Sequence, residues 1–249
     1  MDRENYRNAI ILYDKDTDGK DIPVGASKMG GFPDLPPEIE YPTMSAHTET
    51  WASNGKTDFY EKSAMQLVAQ INLYELAESG ADVENLLPKK GMLYIFWSGE
   101  IIDFESDSYV KMTVDEQDKK DIQKVIYWDG DMSTLRRTPP PLPYYRKYFD
   151  GSVEEDVFPE NAVGFYDSEE YENNEEYSED DEENSECNKI FGFPCGVNID
   201  PVEDDEINLF QFDCWDIMGG GIYKAYWIIR RKSLEKLDFS YIILESDLD

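Results

Sequence analysis

The same punctuation occurs twice in this chain, in the same order. Lys28-Met-Gly30-Gly31-Phe32-Pro33 is followed by Val68-Ala-Gln70-Ile71-Asn72 and then by Gly91-Met-Leu-Tyr94-Ile95-Phe96-Trp97. Further on, Lys189-Ile-Phe-Gly192-Phe193-Pro194 is followed by Phe210-Gln211-Phe212-Asp213 and Gly221-Ile-Tyr-Lys-Ala-Tyr226-Trp227-Ile228. A lysine before G-F-P, a glutamine two residues ahead of an amide or carboxylate in an apolar strand, and a glycine entering an aromatic strand are three ordered coincidences. They predict an internal duplication, with two similar sheets or half-sheets closing one core. The competing reading is convergent use of common turn grammar.

Between these blocks the pattern is that of an α+β protein with mixed or antiparallel sheets and few helices. Ala9 to Tyr13 reads as a short strand or a helix end, and it runs into the turn-rich DKDTDGKD. Met65 to Leu76 reads as a strand passing into a helical or turn segment near Leu73 to Ser79, and Gly91 feeds a buried strand over Met92 to Trp97. Lys124 to Asp129 is another short strand, and Tyr109 to Val114 alternates. Thr43 to Lys62 is polar and reads as an excursion. Strands this short and closely spaced favour antiparallel or mixed pairing over a doubly wound sheet. A short helix is expected near Ser233, with that serine as its cap, before a final strand.

The whole chain, 1–249, reads as a single domain, with one pseudo-repeat at about 25–130 and the other at about 187–249. From Glu154 to Glu186 there are 16 Asp/Glu and no Lys or Arg, so this stretch reads as a solvated acidic insertion. Arg137-x-x-Pro140-x-x-Pro143 matches a polyproline ligand spacing, but a loop on the protein's own surface is the stronger expectation.

With 55 acidic and 23 basic residues the formal net charge is −32. Such a field repels phosphate backbones and anionic lipid, so neither nucleic acid nor a membrane surface is expected as a partner. A basic protein is compatible with it, and so is a small polar ligand held locally. The start of the chain has no apolar run long enough for a signal peptide, no stretch approaches a membrane span, and Cys187, Cys195 and Cys214 form no CxxC pair. A cytoplasmic location and the absence of any cofactor are the expectations.

The segments Lys28-x-Gly30-Gly31-x-Pro33-x-Leu35-Pro36, LVAQINL from Leu67, Leu87-Pro88-x-x-Gly91-x-Leu93, Gly192-x-Pro194, Leu209-x-Gln211-x-Asp213 and Leu237-Asp238-Phe239 together resemble the YwqG-like bacterial family. The likeness spans about residues 25 to 245. It implies an α+β fold with a duplicated plan and carries no established substrate. Two departures stand out. Tyr41-Pro42 follows the Gly-Gly loop where the family often has tryptophan with an aromatic-proline pair, and the acidic stretch before Cys187 is longer than the family needs.

Catalytic grammar is missing. His47 is the only histidine, so no Ser-His-Asp or Cys-His arrangement offers itself, and His47 reads as a surface residue. Asp14-x-Asp16-x-Asp18-Gly19 opens like a calcium loop but lacks the closing glutamate, so these aspartates are weak metal candidates beside an acidic turn. A polar cleft between the halves, built from Lys28, Gln70, Asn72, Lys189, Gln211 and Asp213, is the candidate ligand site. Trp215, near a glycine run, is a candidate wall for it. The structural alternative is that these groups brace the turns. The favoured expectation is a non-enzymatic binding or protein-interaction protein with a strongly acidic surface; a small-molecule binder or uncharacterised enzyme using the cleft is the other.

Overall fold

The computed structural model describes residues 6–52, 55–98, 110–111, 122–142, 144, 146–147, 153–154, 157–171, 188–195, 205–214 and 222–248. Ten strands form the main sheet: β1 Tyr6–Asp14, β2 Lys28–Met29, β3 Gln66–Asn72, β4 Met92–Trp97, β5 Gln123–Trp128, β6 Asn161–Tyr171, β7 Lys189–Phe191, β8 Glu206–Asp213, β9 Ile222–Arg230 and β10 Ile243–Leu248. Their order across the sheet is β5-β4-β3-β2-β6-β1-β7-β8-β9-β10. Every pairing within it is antiparallel. Of the mixed or antiparallel sheets expected, the described strands build the antiparallel kind.

That order has a symmetry. Exchanging β1–β5 with β6–β10 reverses the list onto itself, and the first strand of each set pairs with the second strand of the other: β1 with β7, and β6 with β2. Local detail repeats as well. Lys28 stands opposite Gln70 and Gln70 opposite Tyr94, while Lys189 stands opposite Gln211 and Gln211 opposite Tyr226. A register shift falls between Leu67 and Ala69 on β3 and between Asn208 and Phe210 on β8, each just before the glutamine.

The sheet curls until its two wings meet. β4 and β9 are seven strands apart, which in a flat sheet at about 4.8 Å per strand would be roughly 34 Å. Yet the Trp97 and Trp227 rings lie edge to face with centroids 6.0 Å apart, and Phe212 meets Trp97 at 6.5 Å. The concave face therefore holds the main core, including Ile10, Leu12, Ile71, Ile95, Phe165, Phe210 and Ile229. A smaller cluster, with Leu35, Met65, Tyr94, Phe96, Trp128 and Leu135, packs on the other face. This explains why all six residues of β4 are buried and its sequence is apolar without alternation.

Helix α1, Leu73–Ser79, follows β3 directly. Asn72 caps it by accepting from the backbone N–H of Tyr74 and Glu75, and Gly80 ends it at φ 74°. Helix α2, Arg231–Leu234, starts at Arg230 with no side-chain cap. The expected Ser233 cap is corrected: Ser233 lies inside the helix, where its carbonyl accepts from Lys236 and Asp238. Arg231 N–H bonds Asp205 O instead, so tertiary contact starts this single turn.

Two further expectations change. The polar excursion is a regular hairpin, Thr43–Ala52 paired with Gly55–Ala64, with Val110–Lys111 adding a third strand. The acidic stretch is not all insertion, because its residues 161–171 are β6, which lies beside β1 at the sheet's centre. Residues 172–187 lie outside the described set.

Candidate functional site

Each G-F-P loop folds over the convex face and is held by the same frame. In the first, Lys28 is wholly buried, and its Nζ donates to Phe32 O and to Glu160 Oε1, the latter at 2.6 Å. Gln70 accepts from Asp34 N–H at 2.7 Å and donates to Asp34 Oδ2 and Ala26 O, both at 2.8 Å. Tyr94 donates to Asp34 O at 2.7 Å. The Asp34 carboxylate, fully buried, also accepts from Gly25 N–H at 2.8 Å and from Arg137 Nε at 2.6 Å. Arg137 in turn donates to Glu160 Oε1 at 2.6 Å and to Ile22 O. Four charges, two of each sign, are thus closed on one another. Burial pushes Lys28 below the ordinary lysine value; the Glu160 bond and the Asp34 charge oppose that.

The second loop repeats the lysine, glutamine and tyrosine of this frame, with Cys195 in place of Asp34 and the carboxylate supplied from a different position. Lys189, also wholly buried, donates to Glu170 Oε1 at 2.7 Å. Gln211 accepts from Cys195 N–H at 3.0 Å, and Tyr226 donates to Cys195 O at 2.5 Å. Cys195 therefore occupies the position of Asp34. Gly30 and Phe191 share a left-handed backbone, φ 61° and 64°, and so do Gly31 and Gly192, φ 65° and 73°. The glycine before each Phe-Pro admits the carboxylate: a side chain at Gly31 would strike Glu160, and one at Gly192 would strike Glu170 and Ala9.

Glu160 and Glu170 reach their lysines from opposite ends of one strand. Glu160 immediately precedes β6 and Glu170 lies near its far end, ten residues on, roughly 33 Å at about 3.3 Å per residue. Lys28, Gln70 and Asn72 thus gather at one cluster, Lys189 and Gln211 at another. The expectation of one cleft drawing on both lysines is corrected accordingly, because β6 and β1 run between the loops. Asn72 caps α1 and donates to Gly25 O, and Asp213 ends β8 with its backbone N–H on Asn188 Oδ1. Trp215 lies outside the described residues, as does the side chain of His47.

At the candidate calcium loop, Asp16 Oδ1 accepts from Asp18 N–H at 2.7 Å, closing an acidic turn. Among the described residues no group of three or more His, Cys, Asp or Glu is placed to hold a metal ion. No helix among them is long and apolar enough to cross a membrane.

Arg137, Glu160, Glu170 and Cys195 were not among the expected site residues. Arg137 sits in the R-x-x-P-x-x-P stretch, so that arginine is committed inside the protein, where Arg136–Arg137 pairs with Asp34–Leu35.

The same packing sets an alkaline limit. Burial pushes the Tyr41 phenol well up, as does its 2.6 Å hydrogen bond to Tyr144; burial, with Asp34 and Glu38 nearby, does the same for Tyr94. In the unfolded chain both ionise near pH 10. A group raised on folding contributes stability that is complete below its unfolded pKa and is lost as pH rises above it. Above about pH 10 the fold should therefore weaken, and phenolate absorbance from the buried tyrosines should appear together with loss of the β-sheet signal. Ionisation of Tyr41 and Tyr94 in a still-folded protein, read site by site by NMR, would contradict this.

The curled, antiparallel sheet with few helices makes this a mixed α+β protein. The chain belongs to the family described as a domain of unknown function, DUF1963, which matches residues 27–247 and is the YwqG-like family its motifs resemble. No curated protein matches the sequence.

Proposed function

We propose that this protein is a non-enzymatic, cytoplasmic interaction protein whose acidic surface takes a basic protein partner. One observation carries the reading: the motif side chains that could have formed a polar ligand site are spent internally. Lys28, Gln70, Lys189 and Gln211 are all fully buried and bonded to the loops they brace. Among the described residues the buried charged side chains are Lys28, Asp34 and Lys189, two cations and one acid. Folding thus withdraws more positive than negative charge from contact with water, and the excess of acids is left to act outward.

We also read the two sets of five strands as copies of one ancestral unit. The mirrored strand order, the repeated register shift and the recurring lysine–glutamine–tyrosine arrangement support it. On this reading the repeats begin at β1 and β6, earlier than the blocks at 25 and 187.

The test is calorimetric titration of the full chain with an arginine-rich peptide and with a glutamate-rich control. The expected result is binding of the basic peptide alone, lost at about 1 M salt, where the Debye length falls to about 3 Å. Removing residues 172–185 should weaken that binding at least about tenfold, as expected when several carboxylate charges are withdrawn from a field-driven contact, with the melting temperature unchanged. Equal affinity for both peptides would sink the proposal.

A further inference from the structure

The exchange of Asp34 for Cys195 between two frames that share their lysine, glutamine and tyrosine is the feature the proposed function leaves unused. In the first half the frame closes around an anionic oxygen side chain, with Lys28 and Arg137 balancing Asp34 and Glu160. In the second half Lys189 and Arg7 are the cations: Arg7 stands opposite Glu170 in the β1–β6 register, and its guanidinium lies 4.6 Å from the centre of the Phe193 ring. Glu170 is one acid. At the position of the other stands Cys195, with Lys189 Nζ 3.0 Å from its Sγ. Burial works against the charge of Lys189, but Cys195 and Glu170 outweigh it and hold this lysine above its ordinary value, opposite in direction to Lys28. Cys195 is partly exposed, whereas Cys214 is fully buried.

We propose that Cys195 is an oxidation site, converted by hydrogen peroxide to a sulfenic acid whose oxygen takes the place filled in the first half by the Asp34 carboxylate, beside the Lys189 ammonium. In this step Sγ attacks one peroxide oxygen, an S–O bond forms and the O–O bond breaks. The departing hydroxide takes up the thiol proton and leaves as water. Sulfur loses two electrons and the peroxide gains them, so no further co-reactant is needed. The neighbouring ammonium favours the reaction because it stabilises the negative charge that develops on the departing oxygen. It also sets the consequence: the new oxygen meets the donor that already faces Sγ, in a loop held through Cys195 N–H and C=O.

The full chain is treated with hydrogen peroxide in the presence of dimedone, and each cysteine peptide is followed by mass spectrometry. Adduct at Cys195 should form at least about tenfold faster than at Cys214, the difference expected of an accessible thiol beside a cation against an apolar buried one. Lys189→Gln should slow the Cys195 reaction by a similar factor. Since that buried substitution can unfold the chain, a second readout uses Cys195→Asp, which copies the first half: peroxide treatment of the native protein should move its melting temperature in the same direction as this variant does. Labelling of Cys195 no faster than of Cys214 overturns the proposal, and so do opposite thermal shifts.

Discussion

Arg137→Met should cost about 3–5 kcal/mol of stability, the range for breaking a buried ion pair from one side. The reason is the asymmetry of the pair. The Asp34 side chain is completely buried while Arg137 keeps 29% of its side chain in solvent, so removing the arginine strands a carboxylate that cannot reach water. Gly25 N–H and Gln70 Nε2 would still donate to it, but neither carries the compensating charge. Glu160 would also lose one of the two cations that share its Oε1. Asp34→Asn should be milder, since its amide oxygen can keep an acceptor in the frame. In the double variant Arg137→Met, Asp34→Asn the cost should fall below the sum by about 1–3 kcal/mol, the usual coupling of residues in one network. Urea unfolding of the three proteins measures this directly, and additive costs would show that the pair is not what holds the loop.

Gly30→Ala should be nearly as damaging, about 3–4 kcal/mol, for a purely steric reason. A Cβ at this position would run into the carbonyl oxygen of Pro159 and lie 2.6 Å from that of Phe158, and both are backbone atoms that cannot rotate away. Gly31 N–H already bonds Phe158 O at 2.8 Å, which fixes how closely the two segments approach. Gly19 supplies the control. It has the same left-handed backbone, φ 72°, with nothing within 4 Å of an added Cβ, so Gly19→Ala should cost only the backbone term of about 1 kcal/mol. Equal melting temperatures for the two variants would mean that the loop yields, and that its approach to residues 158–159 is not tight.

How much of this could be seen in the sequence depended on whether a group sat in a recurring motif. Lys28, Gln70, Lys189 and Gln211 stood out because the short motifs around them recur in the same order, and the structure pairs each lysine with its glutamine across adjacent strands. Their carboxylates did not stand out. Glu160 and Glu170 are two of 55 acids, and what distinguishes them is contact with residues 132 and 19 positions away. The central strand β6 was hidden for a related reason: its buried residues Val163 and Phe165 sit in a stretch whose acids dominate any count. Nor does Glu170 follow the repeat. By the register the counterpart of Glu160 is Ala9, a side chain too short to reach Lys189, and Glu170 comes in from the neighbouring strand instead. A buried ammonium requires an acid but does not require it from a particular position.

The pairing of β1 with β7 and of β2 with β6 has a consequence for the order in which the protein can take shape as it is made. β1 is complete after 14 residues, yet both of its neighbours, β6 and β7, lie at 161–191. At about 5–20 residues per second, β1 waits on the order of ten seconds or more for a partner. During that interval β2 also lacks β6, so the earlier half leaves the ribosome with an open edge on each of those strands. The later half then supplies the missing neighbours of both at once, which makes closure of the two halves a single late event.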